Sequence, residues 1–158
     1  MNYITLKDCK NSLFDIALAS SPEEVTPHYL TNKRGITRLE SILVQIQTNY
    51  YKGFFEKASF LFISINRGHL FTNGNKRLAL TLLLNFIYIN DYKFKGLTEK
   101  TYRKWFETNF PQYKISNRKF KRVYGWAMYN MNKAVASDTE YGFEELKSKV
   151  NEFIMKTI

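Results

Sequence analysis

FFEKASFLFISINRGHLFTNGNKRLALTLLLNFIYIN, residues 54–90, places two apolar runs on either side of a short polar turn. In the first run Phe54, Ala58, Leu61, Phe62 and Ile65 recur at helical spacing, while Phe55, Phe60 and Ile63 widen the apolar surface beyond one stripe. The pattern predicts a helix buried over most of its circumference, with Gly68 in the left-handed position that often ends a helix. Lys76 to Ile89 reads as a second buried helix. Its apolar part, Leu78 to Ile89, is 12 residues long and carries Thr81 and Asn85, whereas a membrane span needs about 20 apolar residues. The fold is therefore organised around a helix-turn-helix of unusual apolarity, and no membrane contact is expected.

Working outward, the rest of the chain also reads as helical. Seven Gly and three Pro in 158 residues, with few alternating β-branched runs, favour helices over a many-stranded sheet. Thr5 and Asp8 can cap a helix carrying Leu13, Phe14, Ile16, Ala17 and Leu18, which stops near Ser20-Ser21-Pro22. Residues 26–37, TPHYLTNKRGIT, read as a loop leading into a helix from about Arg38, with Leu39, Ile42, Leu43 and Ile46 on one face. Thr98 is a cap for a helix ending before Pro111, and Asn117 a cap for another from about Arg118 to Ala136. Ser137 with Glu140 looks like a capping box for a last amphipathic helix striped by Phe143, Leu146, Val150, Phe153 and Ile154. Such a terminal helix packs on its own domain or receives a partner. The expected class is all-α, in one domain over residues 1–158, since nothing resembles a linker or a repeat.

Composition narrows the function classes. Apolar residues at 44% suit a packed core, and the single Cys9 forms no internal disulfide. With no secretory pattern at the N-terminus, a reducing cytoplasm is the expected compartment. The net charge of +10 is uneven, because residues 100–133 hold nine Lys/Arg against Glu107 alone. Such a block attracts nucleic acid, an acidic protein or nucleotide phosphates, and does not by itself choose.

The turn His69 to Arg77 is the chemical candidate. Asn73-Gly74 tolerates a sharp reversal. A helix starting immediately after it leaves N–H groups unpaired at the positive end of its dipole, which is an anion site in advance of any side chain. Lys76 and Arg77 sit in that first turn, where cations cost roughly 0.3–1 kcal/mol each without an anion. Two readings stay open: both cations face solvent, or a bound phosphate reverses the sign. His69 could take a proton from an attacking hydroxyl, although a histidine at a helix end is often structural. Phe71 serves as an apolar anchor in either case.

Other chemistries fit poorly. There is no G-x-x-x-x-G-K-[ST] loop and no G-x-G-x-x-G fingerprint, and one Cys with two distant His residues gives no zinc spacing. Cys9 lacks a neighbouring base in sequence, and Glu23-Glu24 and Glu144-Glu145 read as solvated first turns of helices.

HLFTNGNKR, His69 to Arg77, resembles the Fic/Doc (Fido) signature His-x-Phe-x-(Asp/Glu/Asn)-(Gly/Ala)-Asn-(Gly/Lys)-Arg. The flanks GITRLESIL (35–43), FFEKASFLFISINRGH (54–69) and LALTLLLNFIYINDYKF resemble Doc-like toxins, so the likeness covers roughly residues 35–94. It implies an all-helical Fido domain with the motif at a central helix-loop-helix, and leaves residues 97–158 as a basic, then amphipathic, C-terminal extension. It implies further that His69 is the general base, Phe71 the core pin, and Gly74, Asn75, Lys76 and Arg77 the phosphate holders, with ATP as substrate and Mg²⁺ as cofactor.

AMP-transferring members carry a second Arg three residues after the first; here Leu80 stands at that place. The Doc branch is thus the nearer likeness, implying transfer of the γ-phosphoryl group of ATP to a hydroxyl of elongation factor Tu, and a separate antitoxin. The metal-facing position departs from the pattern: Asn73 stands where Asp or Glu is often found, and a neutral amide oxygen is a weaker partner for Mg²⁺. An inhibitory (Ser/Thr)-x-x-x-Glu-(Gly/Asn) helix is also absent, since Ser20–Val25 and Ser148–Phe153 both fail at the last position. AMP transfer is the alternative within the enzyme class. A different class is a nucleic-acid-binding module, with Tyr102, Trp105, Tyr113, Tyr124 and Trp126 interleaved among the cations of residues 100–133.

Overall fold

Continuous apolarity makes residues 53–66 the centre of the molecule. The structure, a computed structural model, describes residues 1–21 and 25–158. Its helices are α1 (Leu6–Asp8), a π-helical turn (Cys9–Leu13), α2 (Phe14–Ala19), α3 (Lys33–Gln45), α4 (Gly53–Asn66), α5 (Asn75–Ile89), α6 (Glu99–Asn109), α7 (Val123–Ser137) and α8 (Phe143–Thr157). No strand occurs among the described residues, so the class is all-α. Residues 57–63 of α4 are all buried, as a helix without a polar face must be. α5, α8, α3 and α7 pack around it. Each fully buried Phe or Leu in this layer contributes roughly 1.5–3 kcal/mol, and Leu61, Phe62, Leu82, Leu83, Phe86 and Phe153 are all fully enclosed.

Helices α6 to α8 are part of the same core. Phe153 of α8 stacks edgewise on Trp105 and tilts against Phe106 of α6. This packing consumes the aromatics expected to face nucleic acid: Tyr102, Trp105 and Trp126 are at most 5% exposed. Interleaving along the sequence put them beside cations, but helical periodicity turns the rings inward and the charges out. Arg103 bridges the two sides, lying over the Trp126 ring and pairing with Glu99.

Several expected boundaries move, for local and tertiary reasons. α3 begins at Lys33 rather than Arg38, because the Asn32 side chain accepts from the Gly35 N–H and caps it early. Gly35 is then helical, and a Cβ there would lie 2.6 Å from the Phe71 ring, so α3 crosses the motif loop at the one residue that fits. Asn117 caps nothing: residues 114–122 are non-helical and α7 starts at Val123. Ser137 ends α7 instead of starting α8, its hydroxyl donating back to the Lys133 carbonyl, and α8 begins at Phe143. Gly68 is not left-handed; a Cβ there would clash with the Ser64 carbonyl oxygen, and the positive φ of 47° belongs to His69. Glu23-Glu24 lies outside the described residues.

Candidate functional site

The turn between α4 and α5 is held from its own residues first. Asn75 accepts from the Phe71 N–H at 3.0 Å and donates to the Phe71 carbonyl at 2.7 Å, closing the loop like one rung of a sheet. Phe71, 4% exposed, anchors the loop below, with its ring edge-on to Tyr29 and Phe14. Gly74 takes φ 77° and serves as the N-cap residue of α5 without any side-chain cap. Glycine is required twice over there: for the left-handed backbone, and because a Cβ would meet the Tyr29 hydroxyl at 2.5 Å. Tyr29 donates to the Gly74 carbonyl, and burial pushes its phenol up to about 12, against the pull of the nearby Arg77 cation.

His69 stands exposed at the entrance. Its left-handed backbone is clamped by Arg38, which donates to the His69 carbonyl at 3.2 Å and the Gly68 carbonyl at 2.7 Å. On the other side Arg67 donates to the carbonyls of Val135 and Asp138, tying the end of α4 to the end of α7. The histidine therefore rides on a segment fixed from two directions.

A cleft of about 630 Å³ opens between these elements, lined by His69, Thr72, Asn73, Gly74, Asn75, Lys76 and Arg77 together with Val25, Asn66 and Ala136. The structure thus gathers every polar motif residue around one space, with Phe71 beneath it. No carboxylate lines the cleft among the described residues. The side chains differ in what they leave free. The Asn75 amide is engaged with Phe71, so its offering to a ligand is the main-chain N–H. Arg77 is buried and donates to the Ser21 and Val25 carbonyls, tying those two residues to the start of α5. Lys76 is exposed at the cleft edge. Asn73 Oδ1 is buried with no hydrogen-bond partner among the described residues, an acceptor suited to a hard cation. No cluster of three or more His, Cys, Asp or Glu suited to a metal occurs among the described residues.

Tyr29, Arg38, Asn66 and Ala136 are site residues that sequence reasoning missed. Asn66 lies 3 residues before the motif, while Tyr29, Arg38 and Ala136 lie 40, 31 and 59 residues from its nearer end, and no local pattern marks them.

An all-helical fold with an uncapped, cation-bearing helix N-terminus facing a histidine defines a class of anion-handling site. The Fic/DOC family model matches residues 15–87, from α2 into the last turn of α5, so this span is similar to that family. It is a family of nucleotidyl and phosphoryl transferases that act on proteins. Searches among curated proteins and among solved structures return no significant match. No helix among the described residues is long and apolar enough to cross a membrane.

Proposed function

We propose that this chain transfers the γ-phosphoryl group of ATP to a protein hydroxyl, in the manner of the Doc branch. The observation that carries the reading is the start of α5, where a left-handed Gly74 with no side-chain cap leaves the first-turn N–H groups facing a cleft that also contains His69 and Lys76. Those N–H groups hold phosphate oxygens, and Lys76 neutralises developing charge from the rim. His69 accepts the proton of the attacking hydroxyl as its oxygen bonds to the γ-phosphorus; the bond from that phosphorus to the β-bridging oxygen breaks, and ADP departs. Mg²⁺ arriving with the phosphates would find Asn73 Oδ1 as its protein partner and would supply charge neutralisation there. Leu80 in place of a second Arg supports phosphoryl over AMP transfer.

By resemblance, the target is a translation factor of the elongation factor Tu type in the cytoplasm, the outcome is growth arrest, and a separate antitoxin restrains it. A basic surface over residues 100–133 fits docking to acidic or RNA-bearing machinery.

The test is ATP labelled separately at the α and γ positions, incubated with cell lysate and either the wild type or His69→Ala. Protein should acquire γ label with the wild type and none with the variant. Transfer of α label would replace phosphoryl by AMP transfer, and equal labelling by His69→Ala would remove His69 as the base.

A further inference from the structure

The buried amide of Asn130 is fully engaged. Asn130, 0% exposed, accepts from Tyr113 Oη and the Ser116 N–H and donates to the carbonyls of Ser116 and Trp126. Asn66 departs from that pattern. It is the last residue of α4 and 6% exposed. Its Nδ2 donates to the Asn132 carbonyl at 3.1 Å and to Asn132 Oδ1 at 2.7 Å, which fixes the nitrogen toward α7 and turns Oδ1 the other way. That Oδ1 is buried without a hydrogen-bond partner among the described residues, on a residue that lines the cleft with His69 and the Gly74–Arg77 turn. An unpaired buried acceptor at this place is costly unless a ligand supplies the donor.

We propose that Asn66 Oδ1 accepts a hydrogen bond from a ribose hydroxyl of the bound nucleotide, with Asn132 of α7 orienting the Asn66 amide. The inference rests on the nucleotide reading above and extends it to residues on two helices, one of them beyond the span 15–87 of the family match. Three steps select the sugar. Ionised phosphate oxygens only accept, so they cannot satisfy a neutral acceptor. The cleft is polar in a fixed sense, because α5 presents its positive N-terminal end while Asn66 sits at the negative C-terminal end of α4; phosphate belongs at the first and a donor at the second. The attacking hydroxyl is taken by His69, and among the donors attached to the phosphates themselves the ribose hydroxyls are the nearest along the molecule.

The experiment is calorimetric titration of the full chain with ATP, 2′-deoxy-ATP and 3′-deoxy-ATP, repeated on Asn66→Leu. One deoxy analogue should bind the wild type about tenfold more weakly than ATP. Asn66→Leu should bind ATP as weakly as the wild type binds that analogue, and should not distinguish the sugars. Equal affinity of the wild type for all three nucleotides would overturn the inference while leaving nucleotide binding intact. Absence of ATP binding would overturn the nucleotide reading itself. Should Asn66→Leu not fold, the wild-type series decides alone.

Discussion

Two loops in this protein are built with the same device and end in different states. Between α4 and α5, Asn75 pairs with both main-chain groups of Phe71; between α6 and α7, Asn130 pairs with both main-chain groups of Ser116. A tyrosine also braces each loop, the buried Tyr29 donating to the Gly74 carbonyl and the half-buried Tyr113 to Asn130 Oδ1. The second loop is closed off further, since Trp126 Nε1 also donates to the Ser116 carbonyl. The first keeps an uncapped helix N-terminus and an Asn73 Oδ1 without a partner among the described residues. An amide brace fixes a loop in either case; what separates a structural loop from a site is the polar group the fold leaves for something else.

The comparison breaks most readily at the anchor. Phe71→Ala should cost roughly 3–5 kcal/mol of stability, read as a lower urea midpoint, and should remove nucleotide binding with it. Asn130→Ala should cost roughly 1–3 kcal/mol, because the Ser116 N–H and the Tyr113 hydroxyl lose their acceptor, and yet leave ATP affinity near the wild-type value. Asn75→Ala is expected to do the reverse, with a loss of about 1–2 kcal/mol at a half-exposed site but a drop in ATP affinity of at least about tenfold as the turn loosens. Equal affinity losses for the two asparagine variants would dissolve the distinction between the loops.

These braces also mark how far the sequence was legible. The α4-loop-α5 unit was readable because its interactions are local: Asn75 reaches back four residues, Gly74 takes its own positive φ, and apolar periodicity sets both helices. Asn130 binds a residue fourteen positions away, so Asn117 looked like a cap and the stretch 118–122 like a helix. The early start of α3 depends on Gly35 meeting Phe71, and the cleft wall on Asn66 meeting Asn132 across 66 residues. Pattern carries contacts within a turn or two of helix. It does not carry contacts made by the fold.

The smallest expected effect is alkaline. Burial pushes Tyr29 and Tyr113 each up to about 12, from an ordinary value near 10.0. Because the folded values lie above the unfolded ones, their contribution is fully present below pH about 10 and is lost as pH rises through about 12. Tyr29→Phe and Tyr113→Phe should each flatten part of the fall in urea midpoint across that window. Only Tyr29→Phe should also weaken ATP binding, through the lost bond to Gly74.

The central claim is that phosphate sits at the start of α5. Amide proton–nitrogen correlation spectra recorded during titration with ATP and Mg²⁺ test it directly. The largest shifts are expected at the main-chain N–H groups of Gly74, Asn75, Lys76 and Arg77; no response there, with shifts confined to the basic stretch 100–133, would contradict the account.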